Sequence, residues 1–336
     1  MNGERVEDVV KTLADLGERH IIKVIQSLVS AEGVSVGIGD DCAVFDQGDQ
    51  YLLLTTDMIT QETHIPDEMT AYQQGWFVVA INLSDIAAMG GTPVGVVLSL
   101  GLPTETADSY VHDLMKGAND CAMKYGTVIA GGDTKENPQV TLCGTALGKI
   151  GKRDHLLLRK GAQPGDAVVV TGSLGKAAAG YYTLQQNNHD KDILRGFFEP
   201  TPRIQEGRIL SQSGVITSCM DVSDGLSSSL YQLQEQNQVG YQIQKEKLPL
   251  ASALSVVSSH KKQIEYALHF GGDYELLFTL PQEQLPMIQQ QFKSIGTRVT
   301  CIGTVTDDNN INLVYSEKTA LLPNKGYEHF KPHTVF

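Results

Sequence analysis

Acidic side chains stand beside glycine, serine or threonine at the ends of apolar runs in six separate segments of the sequence. These segments are Gly37–Cys42, Thr55–Asp57, Asn82–Asp85, Gly131–Thr134, Asp221–Gly225 and Gly271–Glu275. Mg²⁺ prefers oxygen ligands and commonly takes one or two carboxylates, leaving its other positions to water and substrate phosphates. If several of these segments meet in the fold, they form a magnesium site that can hold the phosphates of a nucleotide.

Turn chemistry is the competing explanation, because Asp beside Gly or Ser is common in turns and at helix N-caps. For any one segment alone it is the simpler explanation. The set contains paired acids, however, with Asp40 adjacent to Asp41 and with Asp221 three residues before Asp224. Like charges so placed cost free energy unless solvent or cations neutralise them. Six such segments together favour a cation site.

The overall charge narrows the class of ligand. The 336 residues carry 39 acidic and 26 basic side chains, a formal net charge of −13. Such a protein repels a nucleic-acid backbone and an anionic membrane surface, so the sequence predicts neither as a partner. Anionic nucleotides stay possible where divalent cations lie between the carboxylates and the phosphates.

Cysteine usage and the N-terminus indicate the compartment. The five cysteines are scattered without C-x-x-C spacing, which argues against a disulfide framework and a zinc site. Glu4, Glu7 and Asp8 stand where a secretory signal has an apolar run, and no stretch of about 18 apolar residues follows. The sequence predicts a cytoplasmic protein that does not span a membrane.

Short apolar runs alternate with longer helical patterns, which is typical of an α/β or α+β fold. Ala71 to Met89 and Ala107 to Tyr125 are predicted helices, the first ending at Gly90 and Gly91. A polar, glycine-containing stretch at residues 151–166 predicts a domain boundary. We therefore expect two domains, residues 1–150 and residues 151–336.

One segment imitates a phosphate-binding loop. The apolar run Ala167–Thr171 is followed by Gly172-Ser-Leu-Gly-Lys-Ala177. A P-loop needs four residues between its first Gly and the Gly-Lys-Ser/Thr, whereas only two stand here and Ala177 replaces the hydroxyl. The pattern predicts a turn between a strand and a helix.

The acidic segments, taken in order, resemble the thiamine-monophosphate kinase family. The matching stretches are Gly37-Ile-Gly-Asp-Asp-Cys-Ala43, Thr55-Thr-Asp57, Asn82-Leu-Ser-Asp-Ile-Ala-Ala-Met-Gly90, Ile129-Ala-Gly-Gly-Asp-Thr134, Asp221-Val-Ser-Asp-Gly-Leu226 and Asp273-Tyr-Glu-Leu-Leu-Phe278. The similarity extends from about residue 37 to the ending Gly326-Tyr-Glu-His-Phe330. It implies the two-domain α/β fold of aminoimidazole ribonucleotide synthetase-like proteins. It also implies a homodimer whose N-terminal domains share a barrel-like sheet, with ATP bound between the two domains.

The resemblance also implies roles for individual residues. Magnesium contacts fall on Asp41, Thr55, Thr56, Asp57, Asp85, Asp133, Asp221 and Asp224. ATP contacts fall on Tyr125, Gly132, Asp133, Arg159 and Ser223, and a substrate contact falls on His64. Two substrate positions depart from the family, since Gly272 stands where many members carry Glu and Asn324 where some carry Trp.

The expected reaction is direct transfer of the γ-phosphoryl group of ATP to the phosphate of thiamine monophosphate, giving thiamine diphosphate and ADP. The attacking phosphate oxygen is ionised near neutral pH, so positioning and charge neutralisation by several Mg²⁺ ions carry the catalysis, and no general base is named. Two alternatives stay open. One is a related kinase-like enzyme acting on another phosphorylated metabolite, and the other is a non-catalytic, nucleotide-binding regulator.

Overall fold

The computed structural model describes residues 11–151, 156–316 and 318–331, so Lys152 to His155 of the predicted boundary lie outside the described residues. The helices are α1 Leu13–Leu16, α2 Glu18–Leu28, α3 Ala71–Ala88, α4 Asp108–Lys124, α5 Lys176–Gln185, α6 Lys191–Phe198, α7 Ile204–Ser213, α8 Leu226–Asn237, α9 His260–His269 and α10 Leu285–Lys293. The strands are β1 Ala43–Asp46, β2 Tyr51–Thr60, β3 Thr92–Leu102, β4 Ile129–Glu136, β5 Thr141–Ile150, β6 Ala167–Thr171, β7 Ser218–Asp221, β8 Gly240–Gln244, β9 Leu276–Leu280, β10 Val299–Thr306, β11 Ile311–Tyr315 and β12 Lys318–Leu321. The predicted helices at Ala71–Met89 and Ala107–Tyr125 are confirmed as α3 and α4.

Two mixed sheets organise these elements. The first has the order β1-β2-β5-β3-β4, and the second has the order β12-β11-β8-β10-β6-β9-β7. In the first sheet, β2 and β3 pair antiparallel with β5, while β3 and β4 run parallel. In the described residues this sheet is open, with β1 and β4 at its edges.

Helix α3 covers the inner face of the first sheet and is buried almost all round, as a helix without a polar face must be. It begins at a capping box in which the Thr70 side chain accepts a hydrogen bond from the Gln73 amide. Helix α4 packs very closely against it. A Cβ added at Gly75 would lie 1.9 Å from Leu114 O, and one at Gly117 would lie 1.8 Å from Tyr72 O. Glycine is therefore required at both contacts.

The centre of the second sheet is apolar on both sides. Strands β6 and β9 are fully buried and pair antiparallel, with Val168 opposite Thr279. This burial on both faces explains their continuous apolar sequences. Strand β6 ends at Thr171 and α5 begins at Lys176, which confirms the predicted strand-to-helix turn.

The two sheets are joined through α3. Helix α7 packs on it so closely that a Cβ at Gly207 would lie 2.0 Å from Ala87 O. Trp76 of α3 donates a hydrogen bond from Nε1 to Pro200 O at 3.1 Å. One hydrophobic cluster includes residues of both sheets, and a second cluster lies on the opposite face of the second sheet. The core of the first domain is thus continuous with part of the second. None of the helices in the described ranges is both long and apolar enough to cross a membrane.

Gly207→Ala tests this junction. Alanine favours a helix over glycine by about 1 kcal/mol, so in a solvated helix the change would stabilise the protein. Here the added methyl group meets Ala87 O, and we expect the free energy of unfolding to fall by about 1–3 kcal/mol. Urea unfolding measures it, with Gly151→Ala as control because a Cβ at Gly151 meets no atom within 4 Å. Unchanged or higher stability of Gly207→Ala would contradict the close contact.

Candidate active site

Three carboxylates from three different elements meet at the junction of the two sheets. Asp41 precedes β1, Asp85 lies near the end of α3, and Asp221 is the last residue of β7. One oxygen from each lies within 4.8 Å of the others. Three of the six acidic segments singled out in the sequence therefore converge, which a cation site would require.

Each carboxylate of this group is held by one neighbour. Arg159 Nη2 lies 2.5 Å from Asp41 Oδ1. Ser84 Oγ donates to Asp221 Oδ2 at 2.6 Å, and Thr55 Oγ1 donates to Asp85 Oδ2 at 2.5 Å. The other oxygen of Asp41, Oδ2, is buried and has no hydrogen-bond partner among the described residues. A buried acceptor without a donor costs free energy, so this oxygen marks the place for a ligand.

Burial and mutual repulsion raise the pKa values of the group. Burial, followed by the charges of Asp57, Asp221 and Asp41, raises the pKa of Asp85 well above its usual range. Burial, followed by the charge of Asp41, raises the pKa of Asp221 to about 7. Arg159 lowers it in part but does not balance several carboxylates. The group therefore has an excess of negative charge that a divalent cation would neutralise.

The residues present fit Mg²⁺. The donors are hard carboxylate oxygens, they come from three directions, and Asp41 Oδ2 lacks any other partner in the described structure. Asp41, Asp85 and Asp221 would hold the ion. Two further acids, Asp57 and Asp224, line the same cavity, and burial raises the pKa of each to about 6.

Strand β2 directs its three predicted ligands to two faces. Side chains alternate along a strand, so Thr55 and Asp57 share one face and Thr56 lies on the other. Thr56 Oγ1 donates to Gly144 O at 2.8 Å. The backbone amide of Asp57 donates to Asn82 Oδ1 at 3.0 Å, and Asn82 is fully buried in α3. Asn82 thus fixes β2 against the helix that carries Asp85.

A cavity of about 1910 Å³ surrounds these acids and is lined from both sheets. The predicted residues on its wall are Asp41, Thr55, Thr56, Asp57, His64, Asp85, Arg159, Asp221, Ser223, Asp224, Gly272 and Asn324. His64 Nδ1 lies 2.6 Å from Thr63 Oγ1. Burial, and then the nearby His329, lowers the pKa of His64 to about 4, so its imidazole is neutral at pH 7.

Three predicted residues lie away from this wall. Gly132 and Asp133 are on β4, an exposed edge strand, where Asp133 Oδ2 lies 3.7 Å from Lys135 Nζ. Strands β5 and β3 separate β4 from β2, which puts β4 about 14 Å from β2 at the usual strand spacing. Tyr125 follows α4, and its ring lies edge-on to Trp76 at 6.5 Å. A single chain does not bring these three to the carboxylates.

Comparison with known proteins assigns the chain to a family. Residues 39–150 match the N-terminal domain of AIR synthase related protein, and residues 163–316 match its C-terminal domain. The thiamine-monophosphate kinase of Methanospirillum hungatei is 35% identical over 94% of this chain and 99% of its own length. That of Pyrococcus horikoshii is 36% identical over 88% and 91%, respectively. The chain belongs to the thiamine-monophosphate kinase family.

A solved structure agrees with this assignment. AaThiL complexed with AMPPCP and TMP matches with a TM-score of 0.85 at 29% identity, covering 96% of this chain and 100% of that one. The expected two-domain α/β fold of AIR synthase related proteins is confirmed: the first mixed sheet lies within residues 39–150, and all strands of the second except β12 lie within residues 163–316. The barrel-like sheet is not seen in the described single chain, where the five strands stay open.

Gly272, one of the two positions that depart from the thiamine-monophosphate kinase pattern, has a structural reason. Its φ is +94°, a conformation that side chains disfavour, and a Cβ there would lie 3.1 Å from the Ala177 Cβ. A glutamate would be strained in this turn. Asn324 is exposed on the cavity wall, and the one tryptophan, Trp76, is in α3.

Asp57→Asn tests two predicted effects of this carboxylate: it destabilises the metal-free fold, and it contributes to cation binding. Its folded pKa of about 6 lies above the ordinary value of 3.8, so its charge destabilises the fold at pH 7 and ceases to do so as the pH falls through 6 towards 4. In EDTA at pH 7 we expect the variant to be more stable than wild type by about 1–3 kcal/mol. With Mg²⁺ the wild type gains stability and the variant gains less, and most activity is lost.

Thermal unfolding at pH 7 and pH 5, with EDTA or Mg²⁺, measures both effects. Asp49→Asn is the matched control, because it removes the same charge from an exposed turn. If Asp57→Asn were less stable than wild type in EDTA, or kept full activity in Mg²⁺, Asp57 would be an ordinary strand residue without a part in cation binding.

Proposed function

We propose that the protein transfers the γ-phosphoryl group of ATP to thiamine monophosphate, giving thiamine diphosphate and ADP. The observation that carries this proposal is the convergence of Asp41, Asp85 and Asp221 on an unpartnered buried oxygen, in a cavity between the two sheets of a thiamine-monophosphate kinase family member. The structure of the related AaThiL is a complex with AMPPCP and TMP, which supports ATP and thiamine monophosphate as the two substrates proposed here.

The chain's own groups would act chiefly by position and charge. Mg²⁺ bound at the carboxylates supplies neutralisation of the phosphate charge. Arg159 is fixed by Asp41 and by Gln232 Oε1 at 2.9 Å, while its buried Nε lacks a partner among the described residues. We assign Nε and the Ser223 hydroxyl to the ATP phosphates. His64 is neutral, so it would donate a hydrogen bond to the acceptor phosphate without adding charge.

The thiamine portion would lie at the aromatic end of the same cavity. The rings of Tyr181 and Phe270 are 5.2 Å apart there, and Phe197 lies beside both. Aromatic faces attract a cationic heterocycle such as the thiazolium ring. This supports thiamine monophosphate although Gly272 lacks a carboxylate and Asn324 lacks a ring.

We also propose the homodimer with a shared barrel-like sheet. The outer face of the first sheet exposes Leu54, Met58 and Val97 by 40%, 57% and 41%, and β4 leaves an edge open to pairing. A second copy on this face would bury these side chains. It would also offer Tyr125, Gly132 and Asp133 a place in the partner's site, in accordance with their predicted roles. The division into residues 1–150 and 151–336 and the cytoplasmic location stay predictions.

Turnover is the direct test of the proposed function. With thiamine monophosphate, ATP and Mg²⁺ we expect stoichiometric thiamine diphosphate and ADP, measured by chromatography, and none with EDTA in place of Mg²⁺. A panel of other phosphorylated metabolites addresses the alternative substrate, which the departures at Gly272 and Asn324 favour. Product from another metabolite but not from thiamine monophosphate would sink the proposal. If the protein bound ATP but turned over none of the acceptors, the alternative of a non-catalytic, nucleotide-binding regulator would be favoured.

Asn324→Trp tests the substrate assignment at the cavity wall. A tryptophan face against a cationic ring contributes about 1 kcal/mol, so we expect the KM for thiamine monophosphate to fall about fivefold with the KM for ATP unchanged. Asn324→Leu is the control, because leucine adds apolar surface without a π face. Equal effects of the two changes would show that ring stacking is not involved.

A further inference from the structure

Tyr274, in the turn between α9 and β9, has a backbone conformation that is rare for a large side chain. Its φ is +50°, in the left-handed region. For a residue with a Cβ this conformation is disfavoured, because the Cβ comes too close to the following carbonyl oxygen. Such residues persist only where the surrounding structure holds them, and they concentrate at functional sites.

Two buried carboxylates on either side hold Tyr274 in this conformation. Asp273 caps α5, with Oδ2 accepting from the Gly175 amide at 2.5 Å and Oδ1 accepting from the Ala177 amide at 3.1 Å. Glu275 is completely buried. Its carboxylate accepts hydrogen bonds from Thr171 Oγ1, Lys176 Nζ and Arg203 Nε and Nη2 at 2.5–2.7 Å. The residues before and after Tyr274 are thus fixed to β6, α5 and the start of α7.

This clamp turns the tyrosine ring into the active-site cavity. The Tyr274 amide donates to Val222 O at 3.0 Å, which places it beside Asp221. Its ring meets the Phe77 ring edge-on at 6.0 Å, and Phe77 is on the same face of α3 as Asp85, two helical steps of four residues earlier. Tyr274 therefore lies at the junction of the sheets, and its side chain lines the same cavity as the carboxylates.

The hydroxyl of Tyr274 has no hydrogen-bond partner among the described residues, although the side chain lines the cavity. Burial, followed by the charges of Asp57, Asp221, Asp224 and Asp85, raises its pKa well above the usual range. A phenol is protonated at neutral pH, so this hydroxyl is available to donate a hydrogen bond to an anion. The fold gains nothing from this hydroxyl, because the Phe77 contact needs the ring alone.

We infer that Tyr274 is a catalytic residue whose hydroxyl donates a hydrogen bond to an oxygen of the phosphoryl group being transferred. This inference rests on the proposed function. A phosphate held near the carboxylates by a cation would offer an oxygen as acceptor to the Tyr274 hydroxyl, which has no other acceptor among the described residues. Charge is spread over the phosphoryl oxygens during transfer, and a donor fixed in advance stabilises it without reorganisation. A neutral donor also stabilises this charge without competing with the cation for the carboxylates.

Tyr274→Phe tests the inference because it keeps the ring and the Phe77 contact. We expect kcat for thiamine diphosphate formation to fall about a hundredfold, as for loss of one fixed donor, with both KM values within about threefold. The melting temperature should stay within about 2 °C of wild type. Tyr72→Phe is the control, because its hydroxyl donates to Asp120 outside the cavity wall, and it should keep wild-type kcat.

A second measurement decides the matter independently of turnover. In protein labelled with 3-fluorotyrosine, the ¹⁹F signal of Tyr274 is assigned by its loss in Tyr274→Phe. We expect it to shift when AMPPCP is added to protein already saturated with Mg²⁺. If wild type made no thiamine diphosphate, the proposed function would fail and this signal alone would judge the phosphate contact. Wild-type kcat in Tyr274→Phe, a parallel loss of melting temperature, or an unmoved signal would each overturn the inference.

Discussion

The enclosure of several like charges at one point is the constraint on which this structure depends. Asp41, Asp85 and Asp221 place oxygens within 4.8 Å of one another, and burial raises the pKa values of the last two. Such a group repels itself unless the rest of the fold holds it together. The restraint comes from α3, which is buried between the two sheets and cannot move away from the other carboxylates without opening the core.

Close backbone contacts make α3 rigid enough for this task. Glycines at 75, 117 and 207 let α4 and α7 approach it without intervening side chains. Along α3 itself, Asn82 bonds the Asp57 amide, Ser84 bonds Asp221, and Asp85 joins the acidic group. Three polar residues within four positions thus tie β2, β7 and the three carboxylates to one buried helix. The contacts that pack α3 into the core therefore also fix the positions of the carboxylates.

Local chemistry explains what the sequence predicted and what it did not. Helix ends, the strand-to-helix turn at Gly172 and the acids at strand ends follow from short-range preferences, and the structure has them. The separation of Asp133 from Asp57 depends on strand order, which no local pattern encodes. Tyr274 lay inside a segment that had been singled out, yet its role depends on a positive φ and on a contact across the junction. The Lys176 of the imitation phosphate loop binds Glu275 instead, a partner about 100 positions away in sequence.

The charge balance of the site also bears on the prediction that the reaction uses no general base. With a raised pKa of about 7, Asp221 could accept a proton in the metal-free protein. A cation held by the same carboxylate stabilises its ionised form and occupies its oxygens, which removes it from that role. Arg159 and Tyr274 remain protonated, and His64, with a pKa of about 4, is a weak base. The groups around the cavity are therefore suited to holding anions and donating hydrogen bonds. Such groups suit a phosphoryl acceptor whose attacking oxygen is already ionised and needs no base. A phosphate oxygen is ionised near neutral pH, whereas an alcohol is not.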